Sequence, residues 1–137
     1  MANRNVPFLL ALALAPAAPA HALNNCSSFS DLRGQALVTV NVVNQFRYSP
    51  ACVRISRNAT VRFVAQFGSH PMYGGIVSGG SATIDPDSPI GPFTGGLEAS
   101  VTFMAEGEFP YFCDFHYNMG MLGSVLVDDS IFRDAFE

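Results

Sequence analysis

The run TVRFVAQF, residues 60–67, alternates: Val61, Phe63, Ala65 and Phe67 fall on one side, Arg62 and Gln66 on the other. A period of two puts one face in a core and one in water, which a strand can do and a helix cannot. Related patterns recur along the chain. ALVTVNVVNQF (36–46) is rich in β-branched residues, CVRI (52–55) is a short strand, EASVTFMA (98–105) alternates, and GSVLVD (123–128) is a closing strand. Gly34, Ser49-Pro50 and Arg57-Asn58 punctuate them. The stretch from Gly68 to Gly96 is full of Gly, Pro and Ser, and only short strand pieces such as ATI (82–84) can be placed in it. It is expected to be a long loop region, of the kind that is usually functional in a compact domain. The tail DSIFRDAFE is expected to form one helical turn. Short strands with Gly/Pro turns and no long helix predict an all-β sandwich or barrel in a single domain.

The first 22 residues are set apart from that fold. Arg4 and the amino terminus give a positive start, VPFLLALALAPAAPA is an apolar run, and Ala20-His21-Ala22 has the small-x-small form that signal peptidases cut. The reading is a signal peptide at 1–22 and one domain at 23–137, exported to a periplasmic or extracellular space. The apolar run is too short and too broken by Pro to span a membrane. Without Arg4, six Arg and no Lys stand against eleven acids, a net charge near −5. That balance argues against nucleic acid and anionic membrane surfaces as partners.

Cys26, Cys52 and Cys113 make an odd count for an exported chain. In an oxidising compartment two tend to pair. Cys26 and Cys52 are the plain candidates, because a bridge there would tie the N-terminal arm to the body; pairing of Cys113 with either is the alternative.

Cys113 has unusual neighbours. In YFCDFHYNMGML (111–122), His116 follows Cys113 by three residues and Met121 follows His116 by five. Lying between two strands, this run is a loop whose side chains can converge. The only other His of the mature chain is His70, in the loop after TVRFVAQF. Loops at one end of a sandwich lie together, so His70 can close over the C-terminal loop. Two imidazoles, a thiolate and a weak axial thioether form the type 1 copper set. The candidate ligands are therefore His70, Cys113, His116 and Met121, with Met119 the surface methionine. A structural zinc site would want four strong ligands, and a thioether is a poor one.

At these residues the chain resembles the cupredoxins, small blue copper proteins, and within them the plastocyanin and pseudoazurin type. The resemblance covers about residues 36–127. FRYSPACVRISRNATVRF looks like the family's F-x-F-x-P strand pair. FPYFCDFHYNMGMLGSVLV looks like its closing Y-x-Y-C-x-x-H-x-x-x-G-M-x-G-x-V element, and HYNMGM is close to the pseudoazurin loop with its two Met. The resemblance implies a Greek-key β-sandwich holding one copper ion, with Met121 the long axial ligand. It also implies a carrier of single electrons that docks redox proteins near His116, with Pro71, Met72, Tyr73, Phe115, Tyr117 and Met119 as candidates for an apolar docking patch; separately, the chain is expected to be a monomer. One position departs from the family. Asn usually follows the first His, and its backbone N–H donates to the Cys sulfur; Pro71 has no N–H to give. The departure implies a lower reduction potential, since hydrogen bonds around the ligands tune the metal.

Other chemistries fit less well. A Cys–His hydrolase would use Cys113 as nucleophile, but no orienting group or oxyanion loop is visible and the methionines go unused. A binuclear copper centre needs a second Cys in the loop, and a copper oxidase needs further His. The serious rival is a copper carrier or chaperone holding Cu(I) through the same soft ligands, or through Met72 and Met119, in an open site.

Overall fold

The structure, a computed structural model, describes residues 22–130. The leader as far as His21 and the tail from Ile131, with their expected cleavage site and helical turn, lie outside the described residues.

Among the described residues, ten strands form two sheets. One has four strands: β2 (Leu37–Val43), β3 (Arg47–Ser49), β5 (Thr60–Val64) and β8 (Glu98–Thr102), in the order β3-β2-β5-β8. The other has six: β1 (Ser30–Asp31), β4 (Cys52–Ile55), β6 (Met72–Ser78), β7 (Ser81–Ile84), β9 (Gly107–Cys113) and β10 (Leu122–Val127), in the order β1-β4-β10-β9-β6-β7. The chain passes back and forth between the sheets, and parallel pairing of β2 with β5 and of β4 with β10 results. This is an all-β cupredoxin-like Greek-key sandwich.

The alternation in residues 60–67 is the buried face it promises. Val61, Phe63 and Phe67 are fully buried, and Ala65 nearly so. They meet Val53, Ile55, Tyr111, Val125 and Val127 of the six-stranded sheet in one core. Each large apolar side chain so buried stabilises the fold by about 1.5–3 kcal/mol.

The stretch 68–96 is less of a loop than expected: β7 contains the expected strand piece ATI, but β6 also runs through it. β6 pairs with β9 through Met72–Cys113, Tyr73–Phe112 and Gly74–Tyr111, and then turns away to pair with β7 from Gly75–Ile84 onward. The fork falls at Gly75, whose φ of +153° suits only glycine and whose missing Cβ leaves room for the Thr83 carbonyl and the Phe112 ring. Two glycines in a row erase the alternation from which a strand is read.

Asn24 sits at that fork. It is buried within a short turn (Leu23–Asn25), and its amide nitrogen donates to the carbonyls of Gly75, Tyr111 and Gly123 at 3.1, 2.8 and 3.2 Å. Its carbonyl accepts from the Val77 N–H at 2.8 Å. One side chain thus joins β6, β9 and β10. Two residues on, a disulfide between Cys26 and Cys52 fixes the arm to β4, as the cysteine count anticipated.

Candidate metal centre

Each donor group is carried by backbone that the sheets fix. His70 closes the turn after β5, where its N–H and that of Ser69 bond back to the Gln66 carbonyl at 2.8 and 3.0 Å. Cys113 is the last residue of β9, held between Met72 on one side and the returning loop on the other. That loop is wound tightly. His116 N–H donates to Cys113 O at 3.3 Å, Met119 N–H to His116 O at 2.9 Å, and a one-turn 3-10 helix (Tyr117–Met119) ends at Gly120 with φ +89°. Met121 N–H then bonds His116 O at 3.2 Å, and Cys113 N–H bonds Met121 O at 2.9 Å. Cys113, His116 and Met121 are therefore locked together by backbone, and Asp114 N–H to Pro71 O, 2.9 Å, ties them to the His70 segment.

The donor atoms converge. His70 Nδ1 and His116 Nδ1 are 3.1 Å apart, and Cys113 Sγ lies 3.9 Å from the first and 3.5 Å from the second. Among the described residues, these three form the one cluster of His, Cys or acidic groups suited to a metal ion. A triangle with those sides has a centre about 2 Å from each corner, close to ordinary metal–imidazole distances and slightly short for metal–thiolate. Two imidazole nitrogens and a thiol sulfur gathered around one point suit a soft or borderline cation.

Polarity around the site is low. Cys113 and Met121 are fully buried, while His70 and His116 are half-buried. Burial holds the Cys113 thiol above its usual pKa, although the backbone N–H groups of Phe115 and His116 counter it. Burial first, and then the neighbouring His116, hold His70 below the usual imidazole value.

The docking candidates divide. Phe115 and Met119 are 62% and 52% exposed, as a surface role requires. Pro71 and Met72 are buried, because β6 begins at Met72 in register with Cys113; they belong to the core and not to a patch. Tyr73 and Tyr117 are half-buried and pack on Phe112. One contact had no sequence signal: the ring of Phe46, from the turn between β2 and β3, lies 4.5 Å from the His116 ring and 6.2 Å from that of His70.

A two-sheet Greek-key sandwich with a His–Cys–His cluster at one end defines a cupredoxin. The copper binding proteins of the plastocyanin/azurin family match residues 35–128, and the chain belongs to that family. Its cofactor is one type 1 copper ion. Among solved structures, pseudoazurin from Methylobacterium extorquens AM1 is similar at 25% identity over 68% of this chain and 76% of its own, with a TM-score of 0.46. A purple cupredoxin from Nitrosopumilus maritimus gives 22%, 66%, 99% and 0.46 on the same measures. An amicyanin mutant in its reduced state gives 21%, 67%, 82% and 0.46. No curated protein matches.

Proposed function

We propose that this protein is an exported electron carrier whose single copper ion is held by His70, Cys113, His116 and Met121. The observation that carries the reading is the convergence of His70 Nδ1, Cys113 Sγ and His116 Nδ1 on one point, with buried Met121 bonded through its backbone to Cys113 and His116. Bound copper supplies one-electron exchange between Cu(II) and Cu(I), and no bond of a substrate is made or broken.

The chain's part is to keep the donors still. His70 is set by its turn, Cys113 by β9, and His116 and Met121 by the wound loop, so a change of one charge finds no slack to move them. Cys113 and Met121 remain inside, and the His116 ring lies 6.4 Å, centre to centre, from that of exposed Phe115. Exposed apolar groups of this kind mark contact sites, and a small interface suits a redox partner that must leave quickly. The carrier is expected to act as a monomer.

Export rests on the leader at 1–22, which leaves a mature domain of 23–137, and a Cys26–Cys52 disulfide suits an oxidising periplasmic or extracellular space. Among the described residues, no helix is long and apolar enough to cross a membrane. The Cu(I) chaperone reading is the weaker one here: Met119 offers an exposed sulfur, but Met72, its proposed companion, is fully buried, as are Cys113 and Met121.

Adding Cu(II) to the purified mature chain is expected to give an intense blue thiolate-to-copper band and a narrow copper hyperfine splitting. A colourless protein that takes only Cu(I) would favour the chaperone. A blue band that persists in Cys113→Ser would end the type 1 assignment to this residue.

A further inference from the structure

We propose that Phe46 shuts the copper position against outside ligands, and that Arg47 pins it in place. The inference rests on the ligand set proposed above. Cys113 and Met121 are fully buried and both imidazoles half-buried, so the imidazoles are the part of the donor set that solvent meets. Phe46 touches both of those rings and is itself half-buried, so its apolar face stands where an incoming anion or water would have to enter.

The backbone explains why this residue can lean across. β2 and β3 are joined by a three-residue turn, with Val43 paired to Arg47 and with Asn44 and Gln45 both at positive φ, 49° and 67°. Phe46 falls after these two and before the ladder resumes, and its N–H closes on the Asn44 carbonyl at 2.8 Å. Its side chain is thus released from the sheet's alternation and extends toward the metal loop. Arg47, the next residue, donates from Nη1 to the Gly120 carbonyl at 3.2 Å. Gly120 precedes Met121, and a Cβ there would run into that guanidinium, so glycine is what lets Arg47 lie so close. The four-stranded sheet is fastened in this way to the ligand loop of the six-stranded one, with Phe46 at the fastening.

A ring of carbon offers the ion nothing to coordinate and costs an intruder its hydration. The apolar shell around a metal governs solvent access. Phe46 therefore restricts the site to outer-sphere electron exchange, which is what separates a carrier from an open copper site able to bind small molecules.

Two measurements test this. Azide is titrated into the copper-loaded protein, and the visible band and copper hyperfine splitting are followed. Wild type is expected to change little, whereas Phe46→Ala is expected to form an azide adduct about tenfold more tightly or better. Arg47→Ala is expected to move in the same direction by less. The second measurement needs no copper: diethyl pyrocarbonate should modify His70 and His116 in the metal-free protein about tenfold faster once Phe46 is Ala. It reads shielding even if the ligand set is wrong, so the two ideas fail separately. Should Phe46→Ala not fold, Phe46→Leu, with its smaller reach, carries both measurements and should fall between. A folded Phe46 variant with the azide affinity and modification rates of wild type overturns the proposal.

Discussion

The side chain of Asn24 and the backbone of Tyr111 are joined by a 2.8 Å hydrogen bond across 87 positions of sequence. Tyr111 lies two residues before Cys113, and the same Asn24 side chain also holds Gly75, Val77 and Gly123. The segment around Asn24 thus clasps β6, β9 and β10, the strands that flank the donor cluster. Asn24→Ala removes four hydrogen bonds from a buried place and is expected to cost about 3 kcal/mol, since each orphaned group costs about 1–3 kcal/mol. Guanidinium unfolding checks this through a lower midpoint at unchanged slope. A loss under about 1 kcal/mol would mean that water takes over the clasp.

Gly120 gives a second expectation. Alanine at its φ of +89° strains the backbone by about 1–2 kcal/mol and also displaces Arg47. Gly120→Ala should therefore cost more in the wild-type background than in Arg47→Ala, where the clash is gone. A double-mutant cycle measures the difference, and strict additivity would contradict the contact.

Pro71 bears on the potential. Cys113 sulfur has backbone donors in Phe115 and His116, and position 71 can add none. Pro71→Ala restores an N–H there and is expected to raise the reduction potential by voltammetry, because a donor to the thiolate favours the more electron-rich Cu(I) state. An unchanged or lower potential counts against it.

Acid stability should depend on two carboxylates outside the donor cluster. The Arg33 side chain holds Asp31 down to about 2. Asp128 is lowered chiefly by the Ser130 N–H, 2.7 Å away, with help from Arg54. A carboxyl lowered on folding stabilises the fold at pH above its unfolded value, about 4 for Asp, and that contribution goes as pH falls through the folded value. Between about pH 4 and 2 the melting temperature of wild type should fall more steeply than that of Asp31→Asn. Parallel curves would rule Asp31 out as a source.

The sequence shows the strands where alternation is intact, as at Val61 to Phe67, and part of the convergent cluster where rare residues gather, as at Cys113 and His116. It hides β6, because Gly74 and Gly75 serve the fork and carry no side chain to alternate. Pro71 and Met72 look like patch residues beside a surface imidazole until strand pairing with Cys113 draws them into the core. Asn24 and Phe46 defeat a one-dimensional reading for opposite reasons. A polar residue near a terminus ordinarily faces water, yet Asn24 is buried by partners 51 to 99 positions away. A Phe at the end of a strand run ordinarily joins the core, yet the turn at Asn44 and Gln45 turns Phe46 out toward the imidazoles.

The place of β10 has a consequence for how the molecule comes into being. It is the last strand among the described residues, yet it lies inside the six-stranded sheet, between β4 and β9. Until residues 122–127 have been synthesised, β4 and β9 expose bare edges that cannot meet. Met121, the last of the proposed ligands, directly precedes that strand. Closure of the sheet and completion of the proposed donor set are therefore one event, and a chain caught before residues 121–127 emerge has neither a finished sheet nor a complete place for copper.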